Sequence, residues 1–310
     1  DPRSTPSTNA KNQPLNKKEV NVGVVVTVMN MKGGVGKTTI AMHIGGILCA
    51  YKLGTHKTRK KVLLIDYDPQ FNLSQAFLSA KTYFALEKQR KTTISILLDD
   101  DSDLNPYHLQ VPGNANPPSV ATIASRIRTL SDSYLDIVPS TLDLMYVALG
   151  QANTQIKPIE ERFEKFINEC KSIYDIIFID CHPAGSLFTK TSLNNSEHVI
   201  IPVVPQRYAV RGIGLMMNFI AAKKHGTHGL TPHILFNATG RVGISAVETE
   251  IRSNPTFAAH CMSNSLKRYS AFSEPEGGTG FVWFSKKPYS TEAFRNLLTV
   301  SHEFLTRIGI

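Results

Sequence analysis

The chain has 310 residues, 42% of them apolar and 19% charged, which is enough to bury a substantial core and too apolar for a disordered chain. No run reaches the ~18 consecutive apolar residues of a membrane span, and the four cysteines (Cys49, Cys170, Cys181, Cys261) form no Cys-x-x-Cys pair, so a zinc ribbon, an iron–sulfur site and a disulfide framework are all disfavoured and a reducing cytoplasm is expected. The net charge of +9 is concentrated at the ends: residues 1–60 carry ten basic and two acidic side chains, and residues 221–310 carry ten and six, a balance that suits either a polyanionic partner or a solvated basic surface.

In chain order, residues 1–20 are polar, Pro-interrupted and Lys-bearing, and read as an arm whose first five residues resemble a cloning remnant. Val22 to Met29 is an uncharged β-branched run, the pattern of a strand covered on both faces. Residues 37–52 read as a helix and Lys61 to Ile65 as the next strand; Asp99 to Pro118, with its acids, Asn-Pro pairs and Pro-Gly, reads as a long surface loop. Short apolar runs recur at Asp136 to Val138, Ile176 to Ile179, His198 to Val203 and His233 to Phe236, with helical patterns between most of them, such as Ile159 to Cys170 with Phe163, Phe166 and Ile167 on one face. The tail from Thr291 to Ile310 carries a helical stripe of Phe294, Leu297, Leu298, Phe304, Leu305 and Ile308. The expected fold is α/β: one domain over residues 21–310, with a mostly parallel sheet covered by helices on both faces.

The first strand runs into Asn30-Met31-Lys32-Gly33-Gly34-Val35-Gly36-Lys37-Thr38-Thr39 and then a helix, the required setting of a P-loop. Glycines let successive backbone N–H groups and the helix N-terminus face phosphate oxygens. Lys37 supplies a point charge for the terminal phosphates, and the Thr38 hydroxyl is placed to ligate Mg²⁺. Two further strands end in acids, Leu63-Leu64-Ile65-Asp66-Tyr67-Asp68 and Ile176-Ile177-Phe178-Ile179-Asp180. Ligands of α/β sheets bind at the carboxyl edge, so these strand ends deliver a lysine, a hydroxyl and three carboxylates to one crevice. Singly, each acid also suits a helix cap or turn.

Met31 stands where the first glycine of the common P-loop would fall, and Lys32 follows it. The run Lys-Gly-Gly-x-Gly-Lys-Thr-Thr resembles the deviant Walker A motif of the ParA/MinD ATPases. Asp66-Tyr67-Asp68-Pro69-Gln70 with Asn72 resembles the D-x-D-P-Q-x-N segment of ParA/Soj partitioning ATPases, and Ile179-Asp180-Cys181 resembles their Walker B, with His182 where a proline is usual. Ile201 to Gly212 resembles the family segment P-x-x-P-E-x-x-A-x-x-G, with Gln206 at the acidic position.

The resemblance implies a P-loop NTPase with ATP and Mg²⁺ as cofactors. Gly33, Gly34, Val35, Gly36, Lys37, Thr38 and Thr39 would hold the nucleotide, Thr38, Asp66 and Asp180 the metal environment, Asp68 the attacking water, and Asn237 the adenine. Lys32 would act on the nucleotide of a second subunit. It further implies an ATP-bound homodimer, nonspecific DNA binding, stimulation by a centromere-binding ParB-like protein, and a cytoplasmic, nucleoid-associated location. Arg241, Arg252, Lys267, Arg268, Lys286 and Lys287 are the DNA-binding candidates; Gly240 to Ser245 and the following helix resemble the R-x-N-L segment of the Soj group. The alternatives are a MinD-like membrane ATPase, disfavoured because only Arg295 and Arg307 flank the tail stripe, and a cargo-positioning or conjugative-transfer ATPase acting on a protein partner. His182 reads as a structural histidine or as one that tunes the metal.

Overall fold

The computed structural model describes residues 22–55, 57–99, 104, 111–148, 153–182, 187–223, 229–273 and 280–310. Runs of β-branched and aliphatic residues pair there into seven strands: β1 (Val24–Val28), β2 (Val62–Tyr67), β3 (Ser125–Thr129), β4 (Tyr134–Val138), β5 (Ile176–Cys181), β6 (His198–Val203) and β7 (Thr231–Phe236). The helices are α1 (Lys37–Ala50), α2 (Asn72–Phe77), α3 (Ala80–Lys88), α4 (Thr93–Leu97), α5 (Val120–Ile123), α6 (Leu144–Ala148), α7 (Asn153–Ile173), α8 (Leu187–Asn194), α9 (Ala209–Lys223), α10 (Ala246–Ser253) and α11 (Ser290–Ile308).

The sheet order is β3-β4-β2-β5-β1-β6-β7, and every pair is parallel except β3 with β4. Each expected strand and helix is present with ends shifted by a few residues; the helix expected from Ile159 extends back to Asn153. β3 was not expected. Its sequence, Ser-Arg-Ile-Arg-Thr, carries charge at alternate positions, as suits an edge strand that must resist further pairing. The arm of residues 1–20 and half of the loop from Asp99 to Pro118, residues 100–103 and 105–110, lie outside the described residues.

Side-chain alternation along the strands makes two cores. One face of the central strands (Leu63, Ile65, Ile177, Ile179, Ile201) packs under Phe163 and Phe166 of α7 and Ile213 of α9. The other (Val62, Leu64, Phe178, Ile200) packs under Ile40, Ile44 and Ile47 of α1 and Phe304 of α11. Leu297, Val300, Phe304 and Leu305 of α11 are wholly buried. At roughly 1.5–3 kcal/mol per buried side chain, withdrawing them costs on the order of 6–12 kcal/mol. The tail stripe is therefore part of the core.

The topology also fixes the crevice. β5 inserts between β1 and β2, in register Val28↔Asp180 and Asp66↔Asp180. Three carboxyl ends thus lie side by side, where α/β folds bind ligands.

Candidate nucleotide site

The P-loop leaves β1 at Val28 and enters α1 at Lys37. Gly34 and Gly36 have φ of +72° and +89°, in the left-handed region that side chains resist. A Cβ at Gly36 would also run into Asn237 Nδ2. That amide donates to the carbonyl of Val35 at 2.8 Å, and the Asn237 backbone N–H donates to Val203. Asn237 was expected at the adenine; its amide group braces the phosphate loop against the end of β7.

A second brace escaped the sequence reading. Asn30 is buried, donates from Nδ2 to the Pro202 carbonyl at 2.7 Å, and accepts the Lys32 backbone N–H at 3.0 Å. Its partner lies 172 positions away, so the sequence carried no signal for it. Lys37 is 9% exposed, whereas Lys32, Gly33 and Gly34 are exposed.

The Thr38 hydroxyl donates to Asp180 Oδ2 at 2.6 Å, and Asp180 Oδ1 is buried with no hydrogen-bond partner among the described residues. Burial pushes Asp180 up to about 7; the Thr38 hydrogen bond and the Lys37 charge oppose that shift, and the Asp68 charge adds to it. A buried carboxylate oxygen lacking a donor, beside a threonine hydroxyl, is a donor set that suits Mg²⁺, a hard cation that takes oxygen ligands. The two residues fit the expected metal.

Asp66, expected to support the metal shell, is held by the protein itself. It is fully buried, its Oδ2 accepts both the backbone N–H (2.7 Å) and the hydroxyl (2.6 Å) of Ser74, and its Oδ1 faces the Asp68 N–H at 3.4 Å. Burial, and then the Asp180 charge, raise it well above the usual carboxylate range. These bonds tie Asp66 to the turn that carries Asp68. Ser140 completes that turn, donating from its hydroxyl to the Asp68 carbonyl and from its N–H to the Ser74 hydroxyl. Asp68 is 8% exposed, and its Oδ1 accepts the Gln70 N–H at 2.9 Å. His182 is half-buried, with its backbone N–H on the Tyr67 carbonyl at 3.3 Å. An 850 Å³ cleft opens beside Thr38 and Thr39, walled by Phe71, Asn72, Tyr83 and Phe84.

The basic candidates divide. Arg241 lies 4.5 Å from the Tyr289 ring and 6.0 Å from Tyr269, and it lines a 450 Å³ cleft with Arg268 immediately after Asn237. Thr239 bridges to Lys267, and Lys287 reaches the Ser270 carbonyl at 3.4 Å, with exposed Lys286 beside it in sequence. These five cations gather around one loop cluster. Arg252 does not belong to it. Its guanidinium donates to Glu248, the Met262 carbonyl and the Ser265 hydroxyl, and it packs 4.5 Å from the Phe236 ring. Those donors are committed inside the fold, so the expectation that Arg252 contacts phosphate is corrected.

A P-loop between a buried parallel strand and a helix, faced by a carboxylate at the end of a neighbouring strand, defines a P-loop NTPase. An AAA domain family model matches residues 23–229. The sporulation initiation inhibitor protein Soj of Bacillus subtilis is 30% identical over 66% of this chain and 68% of its own length. The chain covers 65%, 68% and 66% of three curated relatives, about two thirds of their length. Among solved structures, a putative plasmid partition protein of Borrelia burgdorferi bound to AMPPNP has a TM-score of 0.61 at 18% identity, covering 90% of this chain and 98% of the other. The cobyrinic acid a,c-diamide synthase of Mycobacterium smegmatis, with bound ATP analogue and magnesium, has a TM-score of 0.64 at 20% identity, covering 92% and 93%. Those two likenesses speak for the fold. The matched family model and the Soj relative show that the chain belongs to the ParA-type partitioning ATPase family.

Proposed function

We propose that this chain is a Mg²⁺-dependent ATP hydrolase that dimerises on ATP, holds DNA without sequence preference, and serves plasmid or chromosome partitioning with a centromere-binding protein that stimulates hydrolysis. The observation that carries the reading is the buried, partnerless Asp180 Oδ1 beside the Thr38–Asp180 hydrogen bond at the mouth of a P-loop. The AMPPNP held by one structural neighbour, a putative plasmid partition protein, and the ATP analogue and magnesium held by another support it.

The P-loop amides and Lys37 would hold the phosphates, and Thr38 and Asp180 would hold the metal. Bound Mg²⁺ neutralises phosphate charge. Asp68, fixed by Gln70 and Ser140, would orient the attacking water, and Lys32 would bring charge to the nucleotide of a second subunit, as an arginine finger does. Arg241, Lys267, Arg268, Lys286 and Lys287, doubled by dimerisation, would make the DNA-binding stripe and a nucleoid-associated location. The competing membrane reading would require the α11 stripe to leave a core in which Leu297, Phe304 and Leu305 are wholly buried and Phe294, Leu298 and Ile308 are packed against it.

Removing a water-positioning group commonly costs about 100-fold or more in turnover. Asp68→Ala should therefore lose phosphate release to that extent while its affinity for Mg·ATP stays within about two-fold. Near-normal turnover in this variant rejects the assignment.

A further inference from the structure

Lys32 is anchored at one end and loosely tied at the other. Its backbone N–H is fixed by buried Asn30, which itself holds the Pro202 carbonyl. Its exposed ammonium donates to Oε1 of Gln206 at 2.8 Å, a residue 174 positions away in the loop between β6 and α9. Two residues on, Tyr208 has φ +76° and is 77% exposed, with the Arg207 guanidinium 5.8 Å from its ring. A tyrosine adopts that left-handed conformation only when its surroundings impose it.

We propose that Gln206 is a positioning residue that parks Lys32 against its own subunit, and that pairing of two ATP-bound copies exchanges this hydrogen bond for a phosphate of the facing nucleotide. This rests on the reading of Lys32 as a residue that acts across a dimer. The chemistry of the acceptor sets the strength of the tie. A neutral amide oxygen in solvent holds an ammonium weakly, so a phosphate carrying full negative charge displaces it readily. A carboxylate at the same place would compete better by the worth of one exposed ion pair, a factor of about two to five. The strained loop around Tyr208 is placed to move when the lysine leaves.

The test separates the tie from its consequence. In nucleotide-free protein, the rate of Lys32 acetylation by an N-hydroxysuccinimide ester, read by mass spectrometry, reports the parked amine without any dimer. Gln206→Ala should raise that rate about two-fold or more. Gln206→Glu should lower it about two- to five-fold at low salt, with the reduction erased at high salt, as screening of an exposed pair requires. The exposed Lys81 serves as the internal reference. With ATP, the protein concentration at half-pairing, measured by sedimentation velocity, should fall for Gln206→Ala and rise for Gln206→Glu by similar factors. An unchanged Lys32 rate in both variants overturns the proposal, and so does identical pairing of wild type, Gln206→Ala and Gln206→Glu. Failure of the wild type itself to pair with ATP instead overturns the dimer reading on which the proposal stands.

Discussion

Thr38→Ala is the sharpest probe of the metal assignment, because the structure supplies its own control. Among the described residues Asp180 keeps one hydrogen bond, from the Thr38 hydroxyl at 2.6 Å, while its other oxygen has no partner. The substitution removes both a candidate metal ligand and the last donor on a carboxylate that is 1% exposed. A hydrogen bond to a charged group contributes about 1.5–3 kcal/mol, so the gain in nucleotide affinity conferred by Mg²⁺ should shrink roughly ten- to hundred-fold. Titration of a fluorescent ATP analogue with Mg²⁺ and with a chelator measures that gain as a ratio. Thr38→Ser, which keeps the hydroxyl, should preserve it. Binding in chelator should change by no more than about two-fold, because the P-loop amides and Lys37 remain. A Thr38→Ala protein with an undiminished Mg²⁺ effect would falsify the pairing of Thr38 with Asp180 as the metal site.

His43 gives a pH signature. Its Nδ1 lies 2.9 Å from the Thr39 carbonyl and so carries the proton; Nε2 is buried without a partner, and burial lowers the side chain from 6.5 to about 4. The unfolded chain takes up this proton below 6.5 and the folded one does so only near 4, so the stabilisation is complete above 6.5 and is lost as pH falls between these values. Urea unfolding should show this as about 2 kcal/mol lost between about pH 7 and about pH 5, absent in His43→Asn. Equal pH slopes in the two proteins contradict it. For the basic cluster, Lys267→Glu with Arg268→Glu should weaken DNA retention on all sequences and leave ATP-dependent pairing intact. About five phosphate contacts in the wild type predict a slope of log K on log[salt] of roughly −4 to −5, and retention unchanged by the double substitution removes both residues from the stripe.

What the sequence revealed, and what it hid, follows from how contacts are spaced. The P-loop was legible because phosphate binding uses consecutive backbone groups, and Asp68 and Asp180 because buried strands announce their own ends. Parallel β-branched runs likewise gave the sheet, while β3, short and charged at the edge, gave no apolar signal. The braces were illegible. Asn30 to Pro202, Asn237 to Val35 and Lys32 to Gln206 join residues 172, 202 and 174 positions apart. Only the return of β6 beside β1, with β7 next to it, brings them together. Arg252 was misread although its i,i+4 partner Glu248 stands in the sequence; what the sequence does not show is the Met262 carbonyl and the Ser265 hydroxyl that the fold brings to the remaining donors.

The central claim is that ATP turns the chain into a DNA-holding dimer. Sedimentation velocity of the Asp68→Ala protein with a fluorescent duplex of arbitrary sequence tests it directly, since slow hydrolysis keeps the ATP state populated. Mg·ATP should produce a dimer that carries the duplex, while Mg·ADP and nucleotide-free protein should leave the duplex free at the same protein concentration. A duplex carried equally in all three conditions, or a protein that stays monomeric and DNA-free with Mg·ATP, contradicts the account.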